Sequence, residues 1–238
     1  MNQTESVVLV PGLMCDATVW RHQIAALGAG RHIQIAEHAL SDSLETMAER
    51  LLDEAAPRFA LAGHSMGGRV ALEVMARAPE RVSRLALLDT GYEALARGEA
   101  GEREKAGRYR LLEMARREGT LAMATDWARG MVHPSRLTDS VLMDAIHSMI
   151  AAAGVAKFEA QIRALLARPD RTRLLKALRL PTLVLCGADD SWSPLPRHED
   201  IARHVPGSRL VAVPDCGHMS TMEKPEAVTT ALLDWLNS

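Results

Sequence analysis

The sequence predicts an α/β protein: a mostly parallel sheet of about six strands with helices on both faces and one helical insertion. Three observations carry this. Short apolar runs alternate with stretches of helical period along most of the 238 residues, the pattern of a parallel sheet joined by right-handed crossovers. The stretch Phe59–Ala76 reads as strand, tight turn and helix in immediate succession. From Tyr92 to Asp170 the alternation stops, and the chain becomes charged, Met- and Ala-rich and helical in pattern.

Taken in order, Val7-Val8-Leu9-Val10 is a β-branched run ended by Pro11-Gly12, the signature of a strand buried on both faces. A short helix is expected from about Trp20 to Leu27, and a weaker strand over His32–Ala36. Ser43 is placed to cap the next helix, with Thr46 at its N3 position; Leu44, Met47, Ala48, Leu51, Leu52 and Ala55 form its apolar stripe and Pro57 closes it. A strand over Phe59–Ala62 leads through the turn into a helix that stops near Pro79. Arg84–Leu88 is the next strand, ending at Asp89-Thr90-Gly91. After the insertion, Leu180–Gly187 and Arg209–Pro214 supply two more strands, and a last helix runs from about Pro225 to Trp235. The division is therefore 1–91 and 171–238 as the sheet-bearing core, with 92–170 as a helical cap at the carboxyl edge of the sheet, where open α/β folds bind ligands.

The turn at Gly63-His64-Ser65-Met66-Gly67 reads Gly-x-Ser-x-Gly. A serine there is held in a strained backbone conformation with its side chain clear of the sheet, close to a helix N-terminus. A serine hydroxyl is a poor nucleophile at neutral pH and needs a base, an orienting group and oxyanion donors. The chain offers candidates at strand ends: Asp189 and Asp190 after Cys186-Gly187, and His218 after Pro214-Asp215-Cys216-Gly217. The order Ser, Asp, His is the one found in α/β-hydrolases.

With these residues in view, the chain resembles the α/β-hydrolases of the compact, cap-bearing esterase, lactonase and meta-cleavage-product-hydrolase type. The resemblance runs from about Val7 to the C-terminus, the cap excepted. It rests on strand-Pro11-Gly12-Leu13, the elbow around Ser65, Gly187-x-x-Asp190-x-x-x-Pro194 and Gly217-His218. It implies Ser65 as nucleophile, His218 as base and then acid, Asp190 as orienting carboxylate, and the N–H groups of Leu13 and Met66 as the oxyanion hole. It implies hydrolysis of a small carboxylic ester through an acyl-enzyme, with no cofactor and no metal. The same triad would serve a lactonase acting on an enol-lactone or acyl-homoserine lactone, or a carbon–carbon bond hydrolase. A non-catalytic ligand receptor is the reading from another class.

The chain departs from the family pattern in three places. Pro11-Gly12 stands where His-Gly is common, so a loop hydrogen bond made by that histidine is expected to be missing. The antiparallel hairpin before the first parallel strand is absent, and the Gly-rich loop after the second strand is replaced by Glu37–Ser43.

Other residues carry competing readings. Asp189 is a rival for the acid role, though spacing from Gly187 favours Asp190; Asp89 is a rarer rival, otherwise capping the turn into the insertion. His64 reads as a packed residue behind the serine, and His133 and His147 as surface residues of the cap. Cys15 reads as a small loop hydrophobe or an oxidant sensor. The cap's Met114, Met123, Met131, Met143 and Met149 read as its own packing, with some lining a pocket. Glu102–Lys105 with Arg108, Arg110, Arg116 and Arg117 reads first as a solvated helix face bearing i,i+4 pairs. Its second reading is recognition of an acidic acyl carrier or a substrate carboxylate, as in the pimeloyl-carrier methyl esterases that the chain distantly resembles.

Composition narrows the classes. The formal net charge of −2 argues against nucleic-acid binding. Three scattered cysteines, Cys15, Cys186 and Cys216, suit a reducing compartment. Met1–Ser6 lacks the pattern of a signal peptide, and no apolar run is expected to span a bilayer. A cytoplasmic protein acting on a small ester or lactone is the expectation, with oligomeric state open. The aromatic fraction of 3% argues against a pocket built to stack large ring systems.

Overall fold

The computed structural model describes residues 6–238, so the reading of Met1–Ser6 falls almost wholly outside the described residues. Six strands, all parallel, form one sheet in the order β2-β1-β3-β4-β5-β6. β1 is Ser6–Val10, β2 Ile33–Ile35, β3 Phe59–His64, β4 Val82–Leu88, β5 Thr182–Gly187 and β6 Arg209–Val213. Every residue of β1, β3 and β5 is buried, as their continuous apolar runs require, whereas the edge strands β2 and β6 are partly exposed.

The helices of the core are α1 (Arg21–Leu27), α2 (Leu44–Glu54) and α3 (Met66–Arg77) before the insertion. Within the insertion come α4 (Glu99–Glu118), α5 (Thr120–Trp127) and α6 (Ser140–Leu166). The core resumes with α7 (Thr172–Ala177), α8 (Leu195–His204), α9 (Ser220–Glu223) and α10 (Pro225–Asn237). The chain moves from β1 outward to β2, then back across β1 to β3. Right-handed crossovers in opposite directions therefore put α1 on the face opposite α2 and α3. α10 packs beside α1, and α2 beside α3, which closes both faces of the sheet.

The local signals act as expected. Ser43 Oγ accepts from Thr46 N at 3.1 Å at the start of α2. The end of α2 is held by Arg81, whose guanidinium donates to the carbonyls of Leu52, Ala55 and Ala56 at 2.8–2.9 Å. The insertion leaves and re-enters the core at one point, because Arg171 N donates to Tyr92 O at 2.9 Å. Arg171 also forks onto the buried Glu73 of α3, at 2.7 and 2.5 Å. α4, α5 and α6 pack on one another. By length and composition α6 is apolar enough to cross a membrane, contrary to the sequence expectation, but its backbone breaks at Gly154, with φ 76° and ψ 162°.

The strand order reverses between β1 and β3, and the loops leaving those two strands flank a crevice at the carboxyl edge of the sheet. The approach there is close. A Cβ on Gly67 would lie 2.1 Å from Val10 O, so only glycine lets the first turn of α3 sit against the end of β1. Replacement of Gly67 by Ala is expected to destabilise the fold by about 2 kcal/mol or more, in the range of overpacked sites. Urea unfolding would show a lower midpoint at unchanged slope.

Candidate active site

Ser65 follows the last residue of β3 and stands at φ 55°, ψ −119°, a left-handed conformation that side-chain-bearing residues rarely adopt. Ser65 N donates to Leu88 O at 2.9 Å, which ties the turn to the end of β4. Thr90 Oγ1 donates to Ser65 O at 2.6 Å. The strain is thus held from two sides, and the hydroxyl is presented away from the sheet.

The structure brings together Ser65, His218 and Asp190, which lie 153 and 28 residues apart in sequence. His218 Nε2 lies 2.8 Å from Ser65 Oγ, and His218 Nδ1 lies 2.8 Å from Asp190 Oδ2. Asp190 Oδ1 accepts from the N–H groups of Trp192 and Ser193 at 2.8 and 2.9 Å. Burial alone would raise its pKa, but His218 and these two N–H groups together hold it below the ordinary carboxylate value. An ionised Asp190 fixes the His218 proton on Nδ1. Nε2 is left as an acceptor, and the serine hydroxyl donates to it. Asp189, the rival by sequence, is half exposed and faces His133 at 3.9 Å.

Asp89, the other rival, does not cap the turn into the insertion. It is wholly buried, accepts from Gly187 N at 2.9 Å, and also accepts from Ser220 Oγ. It therefore ties the end of β4 to the end of β5 and to the segment after His218. Burial, and then the charge of Asp190, push its carboxyl well above the ordinary range. His64 packs as expected, in edge contact with Trp20, and its Nε2–H donates to His218 O at 2.8 Å. Burial lowers its pKa to about 3, so the ring is neutral.

Gly12, Leu13 and Met66 line the cavity beside Ser65. Met66 is the first residue of α3, so its N–H has no acceptor within the helix. The loop after β1 is held by two residues distant in sequence. His38, from the loop after β2, donates through Nε2 to Pro11 O at 3.0 Å. Burial lowers its pKa to about 4, which keeps it neutral. Met14, at φ 60°, donates through its backbone N–H to Gln161 Oε1 of α6 at 2.8 Å. Neither His38 nor Gln161 carries a local sequence signal; each is a contact made only by the fold.

The loop bearing His218 is fastened to the insertion. His218 N and Met219 N both donate to Met131 O, at 2.7 and 3.1 Å. Buried Glu223 accepts from Gly217 N and Met219 N with one oxygen and from His133 N with the other. His133 and His147 are half-buried rather than on the surface. Cys15 lines the cavity, and burial, with the charge of Asp16, pushes its thiol up to about 12, which favours the loop-hydrophobe reading.

The cavity between core and insertion measures about 460 Å³ and opens to solvent, a size suited to a small ligand. Its apolar wall contains Met131, Phe158, Trp127 and Trp192. Trp127 stacks on Trp192 with centroids 5.4 Å apart, and Trp192 lies 5.1 Å from the His218 ring. Low aromatic content thus does not prevent three rings, Trp127, Phe158 and Trp192, from meeting at the cavity. Its polar wall contains Arg69, Glu104, Arg108, Arg168 and Arg197, so the α4 face read as solvated in part lines the cavity.

A sequence model described as the Alpha/beta hydrolase family matches residues 7–231. A thermophilic esterase from Thermogutta terrifontis, solved with malate bound, superposes with a TM-score of 0.85 at 31% identity, covering 98% of this chain and 91% of that chain. The pimeloyl-[acyl-carrier protein] methyl ester esterase of Aromatoleum aromaticum is 26% identical over 98% of this chain and 98% of that protein. The dihydrolipoyllysine-residue acetyltransferase component of the acetoin cleaving system of Pseudomonas putida is 29% identical over 97% of this chain, which spans 63% of that protein's length.

The two buried carboxylates make a pH test possible. A folded pKa raised above the unfolded value means that the stability Asp89 contributes is fully present below about pH 4 and is lost as pH rises through its folded pKa. Asp89→Asn cannot ionise, so its stability relative to wild type should climb between about pH 4 and pH 7. Urea unfolding of both proteins across that range would check this; parallel curves would contradict it.

Proposed function

The chain belongs to the alpha/beta hydrolase family, and from that premise we propose that it is a serine hydrolase that cleaves a small carboxylic ester. The observation that supports this reading most is the unbroken line from Ser65 Oγ through His218 to Asp190, with 2.8 Å at each link. The family is one of hydrolases with esterase relatives, but the triad serves several bond types. The ester assignment is carried by the cavity beside the serine and by the 31%-identical esterase.

In the proposed cycle, Ser65 Oγ attacks the ester carbonyl as its proton passes to His218 Nε2. Asp190 stabilises the imidazolium and keeps its orientation. The oxyanion is received by the N–H groups of Leu13 and Met66, each contributing about 3 kcal/mol to the transition state. His218 then protonates the departing alcohol. It next activates a water that hydrolyses the acyl-enzyme, which restores the serine. Only this chain's residues and water take part.

Activity on p-nitrophenyl esters of graded acyl length is expected to fall by roughly 10⁴-fold or more in Ser65→Ala. An organophosphonate should label wild type and not the variant. A panel of lactones run alongside would decide the bond type, since turnover confined to lactones would overturn the ester assignment. Absence of both turnover and labelling would overturn the hydrolase reading.

His38 gives a second test. It touches no reacting atom, but it holds the carbonyl of Pro11 and with it the loop that carries Leu13 N. His38→Ala is expected to lower kcat by about 10-fold with KM little changed, as for a loosened transition-state contact. His38→Gln, which can still donate to Pro11 O, should recover most of the loss; an equal drop in both variants would refute the positioning role.

A further inference from the structure

We infer that the polar end of the cavity is an anion-binding subsite, centred on Arg69 and Arg197, that selects esters bearing a second carboxylate. The inference rests on the hydrolase reading and names its substrate class: half-esters of short dicarboxylic acids.

Placement comes first. Arg69 is four residues beyond Ser65 on α3, about one turn or ~6 Å further along the helix axis. Both residues line the same cavity. A carboxylate held by Arg69 would therefore sit a short carbon chain away from a carbonyl at Ser65. Gly91 lies in the loop three residues beyond the end of β4, and a Cβ there would lie 2.7 Å from Arg69 Nη2 and 3.1 Å from Arg197 Cδ. The missing side chain leaves room for both arginines to lie against this turn.

Of the six arginines that line the cavity, Arg103 and Arg110 are exposed and the other four fall into two kinds. Arg168 is buried and forks onto Glu104 at 2.7 and 2.8 Å, while Arg108 reaches the same carboxylate at 2.8 and 3.0 Å. Burial works against the ionisation of Glu104, yet the two guanidiniums hold it at about 2. One carboxylate is thus consumed by two arginines. Arg69 and Arg197 have only backbone carbonyls: Arg69 Nη1 donates to Glu93 O at 2.8 Å and Arg197 Nη1 to Trp192 O at 2.9 Å. Among the described residues neither is ion-paired to a carboxylate.

A guanidinium partly withdrawn from water without a carboxylate partner is costly, and arginine does not escape by losing its proton at neutral pH. Burial, followed by the charges of Arg168 and Arg197, drags the pKa of Arg69 down to about 9; the charge of Glu104 opposes this without cancelling it, so the site carries excess positive charge. A carboxylate in the cavity would supply that compensation and accept a two-point contact from the fork. The Arg168–Glu104–Arg108 cluster then acts as a brace, and the stacked indoles of Trp127 and Trp192 face the hydrocarbon between the two ends of the substrate.

The test reads binding and turnover separately. Glutarate is titrated into Ser65→Ala and into the same protein carrying Arg69→Met or Arg197→Met, with tryptophan fluorescence as the signal and neutral glutaramide as control. Saturable glutarate binding, weakened about 30-fold by either second substitution, is the expected result; two variants guard against one that misfolds. In parallel, mono-p-nitrophenyl glutarate and neutral p-nitrophenyl valerate are compared in wild type and in Arg69→Met. Wild type should prefer the anionic ester through a lower KM, and the preference should collapse towards unity in the variant. Equal turnover of both esters by wild type, with glutarate bound no better than glutaramide, would overturn the subsite and leave the hydrolase reading standing. Arg69-dependent glutarate binding without any turnover or phosphonate labelling would keep the subsite and overturn the hydrolase reading.

Discussion

The structure turns on the close approach of β1, β3 and the first turn of α3. That contact is tolerated only because Gly67 has no side chain, and it forces Ser65 into a left-handed backbone conformation at the strand–helix junction. Placing the junction where the strand order reverses brings the loop after β1 beside the serine. The remaining strands extend from that point, and their carboxyl ends deliver Asp190 and the loop of His218. A strained turn cannot persist alone. It is maintained by the buried strands on both sides and by the bonds from Ser65 N to Leu88 O and from Thr90 to Ser65 O.

Around this point the protein uses burial to assign one state to each titratable group. His38, His64 and His198 are all enclosed, and burial lowers the pKa of each so that it stays neutral. Each braces a loop near the site: His38 holds Pro11 O, His64 holds His218 O, and His198 Nε2 accepts from Thr90 N. Two carboxylates equally deep in the protein behave in opposite ways. Asp190 faces an imidazole and two N–H groups and stays ionised, whereas Asp89, sharing its surroundings with Asp190, is driven towards its neutral form. Environments that push the pKa values of neighbouring carboxylates apart in this manner assign them opposite protonation states.

The elements legible in the sequence were those whose signal is local. β1 and β5 announce themselves by unbroken apolar runs, the cap of α2 by Ser43, and the elbow by glycines flanking Ser65. Asp190 was separable from Asp189 because spacing from the end of β5 determines which one turns inward. What escaped was contact between distant segments. His38 reaches Pro11 O from a position that pattern alone cannot link to it, and Gln161 reaches Met14 across 147 residues. The α4 charges looked solvated because i,i+4 pairing is satisfied both at a surface and at a cavity wall. Average aromatic content could not reveal that Trp127, Trp192 and Phe158 meet at one place.

The fastening of the His218 loop to Met131 O bears on how such a protein can diversify. The two N–H groups that meet this carbonyl belong to the sheet-bearing part of the chain, while the carbonyl belongs to the helical insertion. A backbone acceptor is indifferent to the side chains around it, so this one fastening survives substitution at Met131. A deletion or a register shift between α5 and α6 is another matter, because it would withdraw the acceptor and leave both donors unsatisfied. Change is therefore channelled: substitutions that spare side-chain contacts such as Glu104–Arg168 and Gln161–Met14 leave this fastening intact, whereas length changes near Met131 carry a penalty. A transplanted insertion from a relative would have to restore that one carbonyl before any of its new contacts could matter.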